Sequence, residues 1–279
     1  MAGDANKYDH DGLLVPPWFV REPIDVVDED TSTVCFGFSL AVAVFAAILG
    51  GAQIMGSWRR RRRITHYMIM IWVEWVASIV LASLTWSCLR GYTPASFWVW
   101  FFMLLSWSLQ VQMLLHIIIN RLGLLVMVPG RIATLKWAVA AFITSINISV
   151  FCIWVPARLQ ISERYIRINN VWDRVEKGLF AVVDGGLSAY FIYLVRSELI
   201  KYGLTKYRKL YHFNLSMIFC SLSLDVTLIA LMSLQNDLVY LQFHPVAYLL
   251  KLVIEVKMAV LIGRLAKASN AITGVRSLR

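Results

Sequence analysis

VYLQFHPVAYLLKLVIEVKMAVLIG, residues 239–263, is written largely in residues that suit lipid, yet it carries His244, Tyr248, Lys251 and Glu255. At 100° per residue, offsets of 4, 7 and 11 from His244 fall within a narrow arc, so the four polar side chains share one helix face. That face cannot look at lipid. Ionisable groups at membrane depth are costly, face the interior of a bundle and mark sites, with partners expected from neighbouring helices.

The rest of the chain supplies those helices. Hydrophobic residues make up 59% and charged residues 16% of it, a balance that points away from a soluble core and toward a polytopic membrane protein. Apolar stretches at 33–55, 66–89, 95–119, 132–155, 178–196, 212–234 and 239–263 each hold about 20 residues, enough for a hydrocarbon layer of about 30 Å. The expected fold is therefore all-α, a seven-transmembrane-helix bundle over 33–265. It is preceded by an acidic, flexible arm at 1–32 and followed by a basic tail at 266–279. No signal peptide is expected, because the first 32 residues are acidic and polar and lack a basic start with an apolar run.

Charge orients the bundle. Arg59 to Arg63, Arg121 and Arg131, Lys201 to Lys209, and Arg264 to Arg279 place bases in alternate connections, which the positive-inside rule assigns to the cytoplasm. The amino terminus, with eight acids against Lys7 and Arg21, then lies outside or in a lumen. The connection 156–177 runs against the pattern, with five bases and three acids on the outer side. The net charge of +10 follows from membrane orientation and contact with anionic lipid, so nucleic acid is not an expected partner. In that same connection Ile161, Tyr165, Ile168, Trp172 and Val175 recur at helical spacing, which predicts an amphipathic interfacial helix over about 160–177, an anchor or a lid on the outer mouth. Cys35, Cys88, Cys152 and Cys220 fall in or beside different spans, with no spacing for a metal or a loop disulfide, and read as packing residues.

Further polar groups lie within spans: Glu74 in the second, Asn147 in the fourth, Asp184 in the fifth and Asp225 in the sixth. Counting about 1.5 Å per residue from the helix ends puts Asp184, Asp225, His244 and Lys251 in the outer half or middle, with Glu74 and Glu255 nearer the cytoplasm. Burial disfavours a charged carboxylate, and a neutral carboxylic acid in a dry pocket is a usable general acid. The structural alternative pairs Lys251 with Glu255 at i, i+4 and lets the aspartates bridge helices. On that pairing the unpaired aspartates are the better acids. Trp75, Trp100 and Trp107 sit inside spans, where packing is their ordinary role; an aromatic cavity would also stabilise a carbocation.

WVPARLQIS (154–162), NNVWDRVEK (169–177), VVDGGL (182–187), GLTKY (203–207) and LVYLQFHPVAYLLKL (238–252) resemble a group of fungal seven-span proteins that includes the membrane-bound terpene cyclases of ascofuranone-type meroterpenoid biosynthesis. The resemblance covers about residues 33–265. It implies an isomerase of secondary-metabolite biosynthesis in an endomembrane such as the endoplasmic reticulum. Such an enzyme protonates the epoxide of a farnesyl chain and closes the resulting cation. The implied partners are a lipophilic prenylated small molecule and the bilayer, with no cofactor and no metal. No DDxxD or NDxxDxxxD cluster lies in a span to hold magnesium diphosphate; DVVDED at 25–30 precedes the first one. The expected catalytic residues are Asp184 and Asp225 as acids, Glu74 and Glu255 behind them, His244 as base or relay and Lys251 as a tuning charge. Tyr248, Asn147, Trp75 and Trp107 are expected to line the pocket.

Competing readings are a receptor-like or otherwise non-catalytic seven-span protein, a retinal protein on Lys251, a haem protein on His116 and His244, and a proton-coupled transporter. A retinal protein would want a counterion, and the span 95–119 contains no acid.

Overall fold

The structure, a computed structural model, describes residues 14–20, 25–61, 65–123, 129–201, 208–232 and 237–277. Among these the secondary structure is helical throughout: α1 (Val26–Arg61), α2 (His66–Leu89), α3 (Phe97–Gly123), α4 (Pro129–Arg158), α5 (Glu163–Lys201), α6 (Arg208–Leu231) and α7 (Asp237–Ser277). Six of them, α1 to α6, are long and apolar enough to cross a membrane, the architecture of a multi-pass membrane protein. α7 is not among those six; Lys251, Glu255 and Lys257 lie within its apolar stretch.

Successive helices pack as neighbours from α1 to α7, and α7 closes the ring on α1 while also touching α2 and α3. α3 and α7 supply the largest shares of the interior among the described residues. Met103, Ile117, Leu122, Ala247, Leu249, Leu252 and Met258 are all fully enclosed. Large apolar side chains such as Val44, Trp137, Val182, Phe219 and Val226 point outward, as lipid-facing positions do.

Several boundaries depart from expectation. α1 begins at Val26, inside the expected arm, where Asp25 accepts the Val26 backbone N–H at 2.8 Å and Asp28 and Glu29 occupy the positive end of the helix. Arg90, at the end of α2, reaches back to Glu29 at 3.3 Å and Thr33 at 2.8 Å and pins that start. The amphipathic stretch expected over about 160–177 is not a separate element. No glycine or proline separates Glu163 from Lys177, and the segment forms the first turns of α5, which runs on for 39 residues to Lys201. The backbone of the expected tail continues α7 as far as Ser277. Residues 1–13, 21–24, 62–64 and 202–207, including part of the arginine run, lie outside the described residues.

Two turns shape the end of the bundle where α2 meets α3 and α4 meets α5. Gly91 takes a φ of 71° between α2 and α3, a conformation that suits glycine. Gln160 takes a φ of 52° between α4 and α5 and serves as a clamp: the Trp18 indole N–H donates to its carbonyl at 2.9 Å, its side-chain oxygen accepts the Val20 N–H at 3.0 Å, and its amide donates to the Val20 carbonyl at 2.8 Å. Residues 14–20 therefore strap the α4–α5 turn, with Val15 packed against the main core. No cysteine forms a disulfide; Cys152 and Cys220 are exposed, not packed inside as expected.

Candidate functional site

The polar face of α7 lies inside the bundle, as its sequence requires. His244, Tyr248, Lys251 and Glu255 are all buried, and Tyr240, one turn before His244, extends the row. His244 and Tyr248 stack at 4.3 Å between ring centroids, and Tyr240 meets His244 edge-on at 6.2 Å. The Trp107 indole N–H donates to His244 Nε2 at 2.9 Å, so that nitrogen carries a lone pair and a neutral ring holds its proton on Nδ1, which has no partner.

Lys251 does not pair with Glu255. Its ammonium donates to Asp184 Oδ2 of α5 at 2.7 Å and to Asp225 Oδ1 of α6 in a shorter contact. Glu255 instead accepts from Arg121 of α3 at 2.7 Å, and that guanidinium also lies 4.2 Å above the Phe191 ring. The helical i, i+4 pair loses because a side chain facing the interior meets neighbouring helices before it meets its own next turn. The aspartates are thus paired, which overturns the reasoning that made them free acids. One ammonium against two carboxylates still leaves the triad a formal charge of −1 when both are ionised. Asp184 Oδ1 and Asp225 Oδ2 have no hydrogen-bond partner.

Residues absent from the sequence expectation build a second polar group at the end of the bundle that holds the α4–α5 turn. Lys177 of α5 donates to Glu176 at 2.9 Å and to Asp173 one turn earlier, and its ammonium sits 5.8 Å from the Trp107 ring and 5.1 Å from the Tyr240 ring. These residues line a cleft between α3, α4, α5 and α7, walled also by Met103, Val150, Trp154, Arg158 and Leu241. The cleft encloses about 450 Å³, its open mouth included. Arg158 stacks on Trp154 at 5.4 Å. Glu176 is 1% exposed, and its Oε2 is unpartnered. The Asp173–Lys177 spacing of four and the adjacent Glu176 were the available signals, hidden because the stretch resembled a surface helix.

The remaining expected residues lie apart from both groups. Glu74 is fully buried between α2 and α3, accepting from Ser78 at 3.0 Å, while Gln110 donates to that same hydroxyl at 2.6 Å. No ion pair is formed by Glu74 among the described residues, so charging it would cost desolvation with no cation in compensation. Trp75 donates to the Ala43 carbonyl at 2.8 Å and ties α2 to α1, which is a packing role. Asn147 is buried on α4 with its Oδ1 unpartnered, and it does not line the cleft. Of the four expected pocket residues, only Trp107 does so.

His116 bonds the Gln112 carbonyl of its own helix at 2.6 Å and lies nine residues, or about 13 Å of helix, from Trp107, the partner of His244. The two histidines therefore do not converge on one haem. Among the described residues no three His, Cys, Asp or Glu side chains come together to hold a metal. What the arrangement offers is protonatable groups beside aromatic faces in the cleft, and a two-carboxylate lysine triad beneath it. No protein-family model, curated protein or solved structure matches this chain, and the chemistry of these groups is what bears on its function.

Proposed function

We propose that this chain is a seven-span enzyme of an endomembrane, its amino terminus outside or lumenal, that starts a reaction of a lipophilic substrate by protonating it in the outer cleft. The specific reading is cyclisation of an epoxidised prenyl chain, as the fungal resemblance implies. One observation carries it: the cleft is where a buried carboxyl with an unpartnered oxygen, Glu176, meets the rings of Trp107, Trp154 and Tyr240. Lys177 is shared between Glu176 and Asp173.

The step balances as follows. Glu176, as a carboxylic acid, gives its proton to the epoxide oxygen, and the C–O bond at the more substituted carbon breaks. The cation that forms is attracted to the ring faces until an internal alkene closes on it. Loss of a proton to a carboxylate ends the reaction and restores the site. The cleft in its present shape holds only small groups, so a prenyl chain requires the α4 and α5 walls to part.

The test is conversion of an epoxyfarnesyl phenol by membranes carrying the protein, with product read by mass spectrometry and NMR. Glu176→Gln should remove product, and Asp184→Asn and Asp225→Asn should retain it. The reverse pattern moves the acid to the Lys251 triad. No conversion by the wild-type protein, with the same compound binding saturably, rejects the enzyme and favours the receptor-like alternative.

A further inference from the structure

We propose that the inward face of α7 is a proton path joining the outer cleft to the inner end of the bundle, an activity separate from the cyclase reading. Tyr240, His244, Tyr248, Lys251 and Glu255 succeed one another at intervals of three or four residues, all buried, over about 22 Å of helix. A row of that length crosses most of a hydrocarbon layer of about 30 Å.

Both ends of the row meet charge. At the outer end Tyr240 lies under the Lys177 ammonium at 5.1 Å, beside Asp173 and Glu176. At the inner end Glu255 holds Arg121, where α3 finishes. In the middle, Lys251 joins Asp184 and Asp225, two carboxylates on one ammonium, which is a set that can hold one added proton and become neutral.

Among the unpartnered buried atoms of the described residues, five lie on this row or on the carboxylates it meets. Tyr240 Oη, His244 Nδ1, Asp184 Oδ1, Asp225 Oδ2 and Glu255 Oε2 are enclosed without hydrogen-bond partners, although buried polar atoms are normally satisfied. Such a file is the setting in which internal water bridges polar groups. Each hop breaks one O–H or N–H bond as the next forms, so charge moves with no electron transfer. His244 passes a proton when the Trp107 N–H swings off Nε2, which frees that nitrogen to accept while Nδ1 donates.

The test is proton entry into liposomes containing the purified full-length protein and an internal pH dye, driven by a valinomycin potassium potential. Wild-type vesicles should take up protons faster than protein-free vesicles. Lys251→Met and His244→Phe should each slow uptake on the order of tenfold or more, as a barrier raised by about 1.4 kcal/mol would. Glu29→Gln, at a half-buried pair far along the chain, should leave it unchanged. His244→Phe keeps a ring against Tyr248, so it reports on the path even where Lys251→Met fails to fold. Wild-type uptake no faster than in protein-free vesicles overturns the path, as does unchanged uptake in both variants. Cyclisation measured on the same preparation fails or succeeds independently.

Discussion

Replacing Lys251 with methionine keeps an unbranched stem one atom shorter and removes the ammonium with its hydrogen bonds, leaving the Asp184 and Asp225 side chains, 6% and 14% exposed, with no cation beside them. Removing one partner of a buried pair costs about 3–5 kcal/mol, most of it the penalty of the uncompensated charge. For a chain of this size about 1 kcal/mol moves the melting temperature by roughly 2–4 °C, so Lys251→Met should melt about 6–20 °C lower. Charge arithmetic orders the other variants. With both carboxylates ionised the triad carries −1; Lys251→Met makes it −2, whereas Asp184→Asn makes it 0. Asp184→Asn should therefore destabilise far less than Lys251→Met, and the triple variant Lys251→Met, Asp184→Asn, Asp225→Asn should recover most of the loss. The assay is thermal unfolding in one detergent at one ionic strength, followed by loss of the monodisperse chromatographic peak. A Lys251→Met protein that melts with the wild type refutes the reasoning. So does a triple variant no more stable than Lys251→Met, because the cost would then lie in packing and not in charge.

Two further outcomes follow from the same geometry. Arg121→Met should lower stability by about 3–5 kcal/mol by stranding Glu255, and Arg121→Met combined with Glu255→Gln should restore most of it, measured by the same unfolding assay. Gly91→Ala, forced into a φ of 71°, should cost about 1–2 kcal/mol, seen as a lower melting temperature with wild-type expression.

Much of the bundle was legible in the sequence because a membrane span is a long, one-signal feature. Length and hydropathy alone locate α1 to α6. The inward face of α7 was legible for the converse reason: His244, Tyr248, Lys251 and Glu255 share an arc that lipid cannot accept. Partner choice was not legible. Whether Lys251 meets Glu255 on its own helix or Asp184 and Asp225 across two others is decided by interhelical distance, which no periodicity contains. The continuity of α5 escaped for a local reason, since Trp172 and Tyr165 look the same on an interfacial helix as on the projecting turns of a span. Glu176 and Lys177 are not legible as a site because the charges around them suggest a solvated surface, and the burial that makes them notable comes from α3, α4 and α7 packing against them.

The clamp at Gln160 also counts crossings. Trp18 and Val20 precede α1, and Gln160 follows α4, so four helices separate groups that lie within hydrogen-bond reach of one another. An even number of traversals returns a chain to the face it left; an odd number does not. If any one of α1 to α4 lay along the membrane instead of through it, those three hydrogen bonds would have to span the bilayer. The strap is thus a parity check on the first half of the topology, made by polar contacts that owe nothing to hydropathy.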